Sequence, residues 1–168
     1  QKTEIIRSVS LESQQAALYE SIRLSMEKKV QEAIASKGLA RSHITILDAL
    51  LKLRQTCCDP QLLSLEQAAK VKESAKLQLL MTILPEMVEE GRKILLFSQF
   101  TKMLGLIEDK LKQAKIRYTK LTGQTRKRDE AIQAFTDGDA DVFLISLKAG
   151  GVGLNLTEAD TVIHYDPW

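Results

Sequence analysis

The stretch ISLKAGGVGLNLTEADTVIHYDPW, residues 145–168, decides the fold. An apolar run, Val142 to Ile145, leads into it, and a second, Thr161 to Tyr165, closes it. Short apolar runs bounded by turn residues read as buried parallel strands. Between them Ser146 and Lys148 flank Leu147, and Gly150, Gly151 and Gly153 follow. Glycines just after a strand let the backbone approach a ligand that a Cβ would push away. That ligand is commonly a phosphate, because bare N–H groups in a tight turn form an anion-binding concavity.

Working outward, the same alternation continues. Ser74 opens a helical pattern through Leu77, Leu80, Leu84 and Val88, which Pro85 is expected to kink or split and Gly91 to end. A buried strand follows at Ile94 to Phe97 and ends in polar Ser98 and Gln99. Thr101 opens an amphipathic helix with Leu104, Ile107 and Leu111 inward. RYTKLTG is a second strand, ending at Thr122 and Gly123, and Thr125 is expected to cap a helix through Ile132 and Phe135. Helix and strand in alternation predict an α/β domain with a RecA-like parallel sheet, over residues 74–168. In such sheets ligands bind beyond the carboxyl ends of the strands. The ends carry Ser98-Gln99, Thr122-Gly123, Ser146-Leu147-Lys148 and His164-Tyr165-Asp166. They are expected to line one rim, suited to phosphate contacts that position a nucleic acid without reading its sequence.

Residues 1–73 read differently, as an all-helical subdomain or linker. Lys2 to Leu11 is an edge strand or a linker. A long helix from Ser13 to Ser36 carries Leu18, Ile22, Met26, Val30 and Ala33 on one face, with Gly38 as its stop. Ser42 is expected to cap a second helix, with Leu47, Leu50 and Leu51 on one face and Cys58-Asp59-Pro60 as its end. Residues 61–73 are weakly patterned.

Composition bounds the function. No apolar run reaches the ~18 residues of a membrane span, so no membrane is expected among the partners. Adjacent Cys57 and Cys58 have no spaced partners for a zinc site and read as reduced, which implies an intracellular protein. A net charge of +2 hides segregation. Residues 101–128 hold nine Lys and Arg against two acids, and residues 129–168 hold Lys148 against eight acids. Such asymmetry points to a polyanion on one face. The sequence contains no G-x-x-x-x-G-K-[ST], no dinucleotide fingerprint and no nucleophile elbow, and His43 and His164 read as non-catalytic. This stretch alone is not expected to be an enzyme.

Several segments together resemble the second motor lobe, with its helical prelude, of a Swi/Snf-type DNA-dependent ATPase of helicase superfamily two. SLESQQAALYESI resembles the stretch leading out of the first lobe, and LLKLRQTCCDPQLL the L-x-x-L-R-x-x-C-x-x-P-x-L-L signature. SAKLQLLMTILPEMVEEGRKILLFSQF resembles motif four, LTGQTRKRDEAIQAF the L-x-G-x-T segment, and LISLKAGGVGLNLTEADTVIHYDPW motif five and its extension. The resemblance covers residues 11–168. KGLARS and LLKLRQTCCDPQLL are most similar to bacterial members.

The resemblance implies a RecA-like lobe that closes on a first lobe, with ATP and Mg²⁺ between them, held mainly by the first lobe, and double-stranded DNA across both. By position, Ser98, Gln99, Thr122, Gly123, Arg128, Ser146, Lys148, Ala149 and Gly150 would face the DNA backbone. Gly151, Gly153, Leu154 and Asn155 would form the hinge that couples DNA contact to the nucleotide. The paired arginines of motif six fall beyond Trp168, where the sequence stops. It therefore reads as an excised piece, inactive alone, that carries no cofactor of its own. A DNA-bound protein is the expected target, in a nucleoid or a nucleus. Two alternatives stand beside this reading: an RNA helicase lobe of the same superfamily, and a protein-interaction module built on the apolar faces of the first two helices.

Overall fold

A computed structural model describes residues 11, 13–63, 74–150 and 156–166. The expectations for Lys2 to Leu11 (save Leu11), for 64–73 and for the loop Gly151 to Asn155 lie outside the described residues. Those described fall into two compact units, which meet in sequence between Gln78 and Leu79.

In the first unit, α1 (Ser13–Lys37) buries Leu18, Ile22 and Met26, spaced one turn apart. They pack with Ala49 and Leu63, and with half-buried Val30 and Leu53. Gly38, at φ 81°, ends the helix in a conformation open to glycine. α2 (His43–Cys58) follows. Ser42 sits at its N-cap, but its hydroxyl turns back and donates to the Gly38 carbonyl at 2.8 Å, so the expected side-chain cap is not made.

The face of α2 that carries Leu47, Leu50 and Leu51 points outward, with exposures of 64%, 52% and 41%. Ala49, Thr56 and Cys58 fill the inner face instead. Gln15 is fully buried; its Nε2 donates to the Thr56 carbonyl at 2.8 Å, and its Oε1 accepts from the Ala75 N–H at 2.9 Å. It thus supplies the first turn of α3 (Ala75–Glu89) with a cap from 60 residues away. Ser74, expected to cap that helix, donates its hydroxyl to the Cys58 carbonyl.

α3 runs through Pro85 as one helix, so of the expected kink or split the split is not made. Its apolar face is buried at Leu77, Leu80 and Leu84, ahead of the proline, and half-buried at Met87 and Val88 beyond it. That burial offsets the lost N–H donor. Gly91, at φ 82°, then reverses the chain.

The second unit holds a four-stranded parallel sheet in the order β2-β3-β1-β4. The strands are β1 (Ile94–Ser98), β2 (Tyr118–Leu121), β3 (Val142–Ser146) and β4 (Thr161–His164). β3 is buried at every residue, which is why it reads as a continuous apolar run. On one face Leu95, Phe143, Ile145 and Leu121 join Phe135 of α5 (Arg128–Thr136) in a core. Period-two alternation turns Ile94, Leu96 and Leu144 to the opposite face. α4 (Thr101–Gln113) packs on β1 and β3 and buries Met103, Leu104, Ile107 and Leu111. A short helical turn, α6 (Leu147–Gly150), leaves the end of β3.

Candidate nucleic-acid interface

The strand register brings the expected rim together. Ser98 pairs directly with Ser146, Leu121 with Ile145, and Phe97 with His164. Thr122 is therefore level with Ser146, and Tyr165 with Ser98, so all four strands leave the sheet at one height. β1 and β3, the two central strands, deliver Ser98 and Ser146 side by side.

The chemistry of the rim differs from the sequence reading. Ser98 is fully buried, and its hydroxyl donates to Asp166 Oδ1. Its Oγ accepts from the Phe100 N–H at 3.1 Å, while the Gln99 N–H donates to Asp166 Oδ2 at 3.1 Å. Ser146 and Thr122 are buried as well. Thr122 Oγ1 accepts from the Gln124 N–H at 3.2 Å. A hydroxyl at the end of a buried strand is the nearest partner for the orphan amides of the turn that follows, and it turns inward to meet them. These hydroxyls shape the rim from inside and do not line its surface.

The outward groups are others. Gly123 and Gln124 are exposed, and a Cβ built on Gly123 meets no atom within 4 Å. Lys148 is exposed on α6, as are Arg126 and Lys127 ahead of α5. Arg128 is half-buried and opens α5, which the chain enters with no side-chain cap. The helix begins there and not at Thr125, because Thr125 Oγ1 is occupied in the turn, accepting from the Thr122 N–H at 2.8 Å. Gln99 is half-buried, and its Nε2 is covered without any hydrogen-bond partner, an orphan donor at the exit of β1. Ala149 and Gly150 fall within α6. Gly151, Gly153, Leu154 and Asn155 lie outside the described residues. Asp166 was placed at a strand end by the sequence but given no role there. No spacing along the chain signals that role, which depends on β4 lying beside β1.

Charge is less segregated in space than along the chain. Asp141 pairs with Lys93 at 3.0 Å and with Arg117 at 3.0 Å, which joins the acidic stretch to the basic one at the opposite end of the sheet. Burial pushes the Asp141 carboxyl up, but these two cations outweigh it and hold it below the usual aspartate range. Glu108 behaves alike: burial raises it, while the Tyr118 hydroxyl at 2.6 Å and Lys120 at 3.1 Å lower it further. Burial, then Glu108, push the Tyr118 phenol above its ordinary value. Lys120 and Arg117 thereby have acidic partners within the chain, and among the described residues Lys102, Arg126 and Lys148 are exposed near the rim with no ion pair. His164 is exposed and stacks on Phe97, with ring centroids 5.4 Å apart. Among the described residues no three His, Cys, Asp or Glu side chains lie together to hold a metal ion.

Comparison with known proteins follows the same division. Residues 75–168 match the helicase conserved C-terminal domain family. The chain is 33% identical to the ISWI chromatin-remodeling complex ATPase ISW1 of Saccharomyces cerevisiae, over 98% of its own length and 15% of that protein. It superposes on the Sulfolobus solfataricus SWI2/SNF2 ATPase core in complex with dsDNA with a TM-score of 0.78 and 32% identity, covering 95% of this chain and 34% of that one. The isolated C-terminal domain of the Sulfolobus solfataricus SWI2/SNF2 ATPase gives 0.76 and 33%, covering 94% of this chain and 69% of that one. The curated relatives are far longer: the chain spans between 7% and 16% of their lengths.

Proposed function

Because this chain belongs to the helicase conserved C-terminal domain family, in its Swi2/Snf2 branch, we propose that it is the second motor lobe of an ATP-dependent double-stranded-DNA translocase or remodeller. The observation that carries the proposal is the common height of the four strand exits, with Gly123, Gln124 and Lys148 outward. An open glycine backbone, an amide and a cation suit a sugar–phosphate rail, and none of them reads bases. The grip acts through the turn after β2 and the start of α6, with the half-buried Gln99 at the exit of β1. Gly151, Gly153, Leu154 and Asn155 couple that grip to the nucleotide. Ser98, Ser146 and Thr122 support it from beneath.

ATP and Mg²⁺ belong to the complete protein. The described residues offer no cluster of three metal-ligating side chains. The first lobe supplies the phosphate cradle. The similarity to a chromatin-remodeling ATPase and to an ATPase core in complex with dsDNA supports a DNA-bound protein as the target.

The test is ATPase stimulation of the complete protein by duplex DNA and by duplex and single-stranded RNA at equal nucleotide concentration. Stimulation by duplex DNA of varied sequence, with little from RNA, is expected. Equal or stronger stimulation by RNA would assign the lobe to an RNA helicase.

A docking role accompanies the motor role, favoured by Ile44, Leu47, Leu50 and Leu51 standing exposed on α2. Apolar groups so grouped mark an interaction face. Leu47→Asp in the complete protein should lower ATP turnover with DNA affinity unchanged; wild-type turnover would remove the docking role.

A further inference from the structure

We infer that Asp166 is a positioning residue, a buried carboxylate that clamps the exit of β1 and aims Gln99 at the ligand of the rim. The inference rests on the DNA-binding reading above. Asp166 follows β4 directly and is 2% exposed. Both of its oxygens are spent on the neighbouring strand's exit: Oδ1 accepts the Ser98 hydroxyl and Oδ2 the Gln99 N–H. Ser98 Oγ extends the relay by accepting from the Phe100 N–H. The Tyr165 N–H, one residue earlier, donates to the Phe97 carbonyl at 2.8 Å and keeps the two strand ends in register.

The arrangement is costly unless it has a use. A buried carboxylate gives up its hydration and is tolerated only when its lone pairs are filled. Here they are filled by two consecutive residues of one turn, which fixes the backbone of Gln99 from both sides. The amides of Gln99 and Phe100, which precede α4 and would otherwise be orphan donors facing outward, are consumed by the clamp. What the turn still offers is the Gln99 side-chain Nε2, covered and without a partner. Such an unsatisfied donor on a half-buried side chain gains a partner by turning outward to an acceptor beyond the chain, and a phosphate oxygen is the acceptor suited to this rim.

The test uses the complete motor protein and its Asp166→Asn, Gln99→Ala and Ser98→Ala variants. The readouts are the duplex-DNA concentration for half-maximal ATPase, KM for ATP, and hydrogen exchange at the Gln99 and Phe100 amides. Asp166→Asn keeps the shape but puts an amide where two donors converge. It should raise the half-saturating DNA concentration about fivefold or more, with KM for ATP within about twofold. Exchange at the two amides should quicken about tenfold while Leu96 in mid-strand stays slow. The double variant with Gln99→Ala should be no worse than Gln99→Ala alone. Additive losses, or unaltered exchange at both amides, would overturn the inference. If Asp166→Asn does not fold, Ser98→Ala removes the Oδ1 arm and the Phe100 relay and leaves the Oδ2 arm in place; an unaltered DNA requirement there overturns the clamp equally. A wild-type protein indifferent to duplex DNA would sink the functional reading and leave the exchange experiment to judge the clamp.

Discussion

Thr122 and Thr125 bond each other in both directions: the Thr122 N–H donates to Thr125 Oγ1 at 2.8 Å, and the Thr125 N–H donates to the Thr122 carbonyl at 3.1 Å. This closes the turn after β2 and holds Gly123 and Gln124 out at its tip. Thr125→Val keeps the volume and removes the acceptor. It should cost about 1 kcal/mol of stability and raise the DNA requirement of the ATPase, while Thr125→Ser should restore both. Urea unfolding and DNA titration check the pair. Wild-type DNA affinity in Thr125→Val would detach the turn from the interface.

Gly123 separates stability from function. Its φ lies outside the left-handed region, and a Cβ there meets nothing within 4 Å. Gly123→Ala should therefore leave stability unchanged or raise it by about 0.4–1 kcal/mol, through a less flexible unfolded chain. If a phosphate approaches that backbone, the same methyl weakens duplex binding, and a bulkier Gly123→Val weakens it more. Equal binding by all three would mean that no ligand comes close.

Gln15 is the tie of the helical unit. Gln15→Ala strands the Thr56 carbonyl and the Ala75 N–H, both now partnered in the interior. The expected loss is about 2–4 kcal/mol in denaturant unfolding, from two buried backbone groups left unpaired. A loss under about 0.5 kcal/mol would show that water satisfies them.

Asp141 sets an acid limb. Its folded carboxyl titrates below the unfolded value of about 3.9. The stability it contributes is therefore present in full above that unfolded value and is lost as pH falls through the folded one. Arg117 is largely exposed, so screening keeps the contribution near about 1 kcal/mol. Asp141→Asn should cost that much at neutral pH and flatten the fall of stability below about pH 4. An unflattened acid limb would place the titration elsewhere.

The α/β alternation, the four strands and the level rim were legible in the sequence because buried parallel strands leave unbroken apolar runs between turn residues. Four-residue spacing likewise gave Leu18, Ile22 and Met26 as the inner face of α1. What the sequence hid is direction. Leu47, Leu50 and Leu51 share a face, but periodicity does not say whether that face meets the core or solvent, and here it meets solvent. Ser42, Ser74 and Thr125 carry the chemistry of helix caps, and each spends its hydroxyl on a nearer or tertiary partner. The same holds at the site. Ser98 and Thr122 were read by type as phosphate ligands, yet a hydroxyl at a buried strand end is drawn to the chain's own amides. Asp166 becomes a clamp only through a pairing 68 residues apart, which spacing along the chain cannot express.

The central claim is that the rim grips phosphates, and the salt dependence of duplex-DNA binding measures that grip. In the complete protein, log K against log salt should be steep and the same for unrelated DNA sequences, and Lys148→Ala should reduce the magnitude of the slope by about 0.9, one released counterion. An unchanged slope in Lys148→Ala, or a wild-type slope that depends on base sequence, would contradict the account.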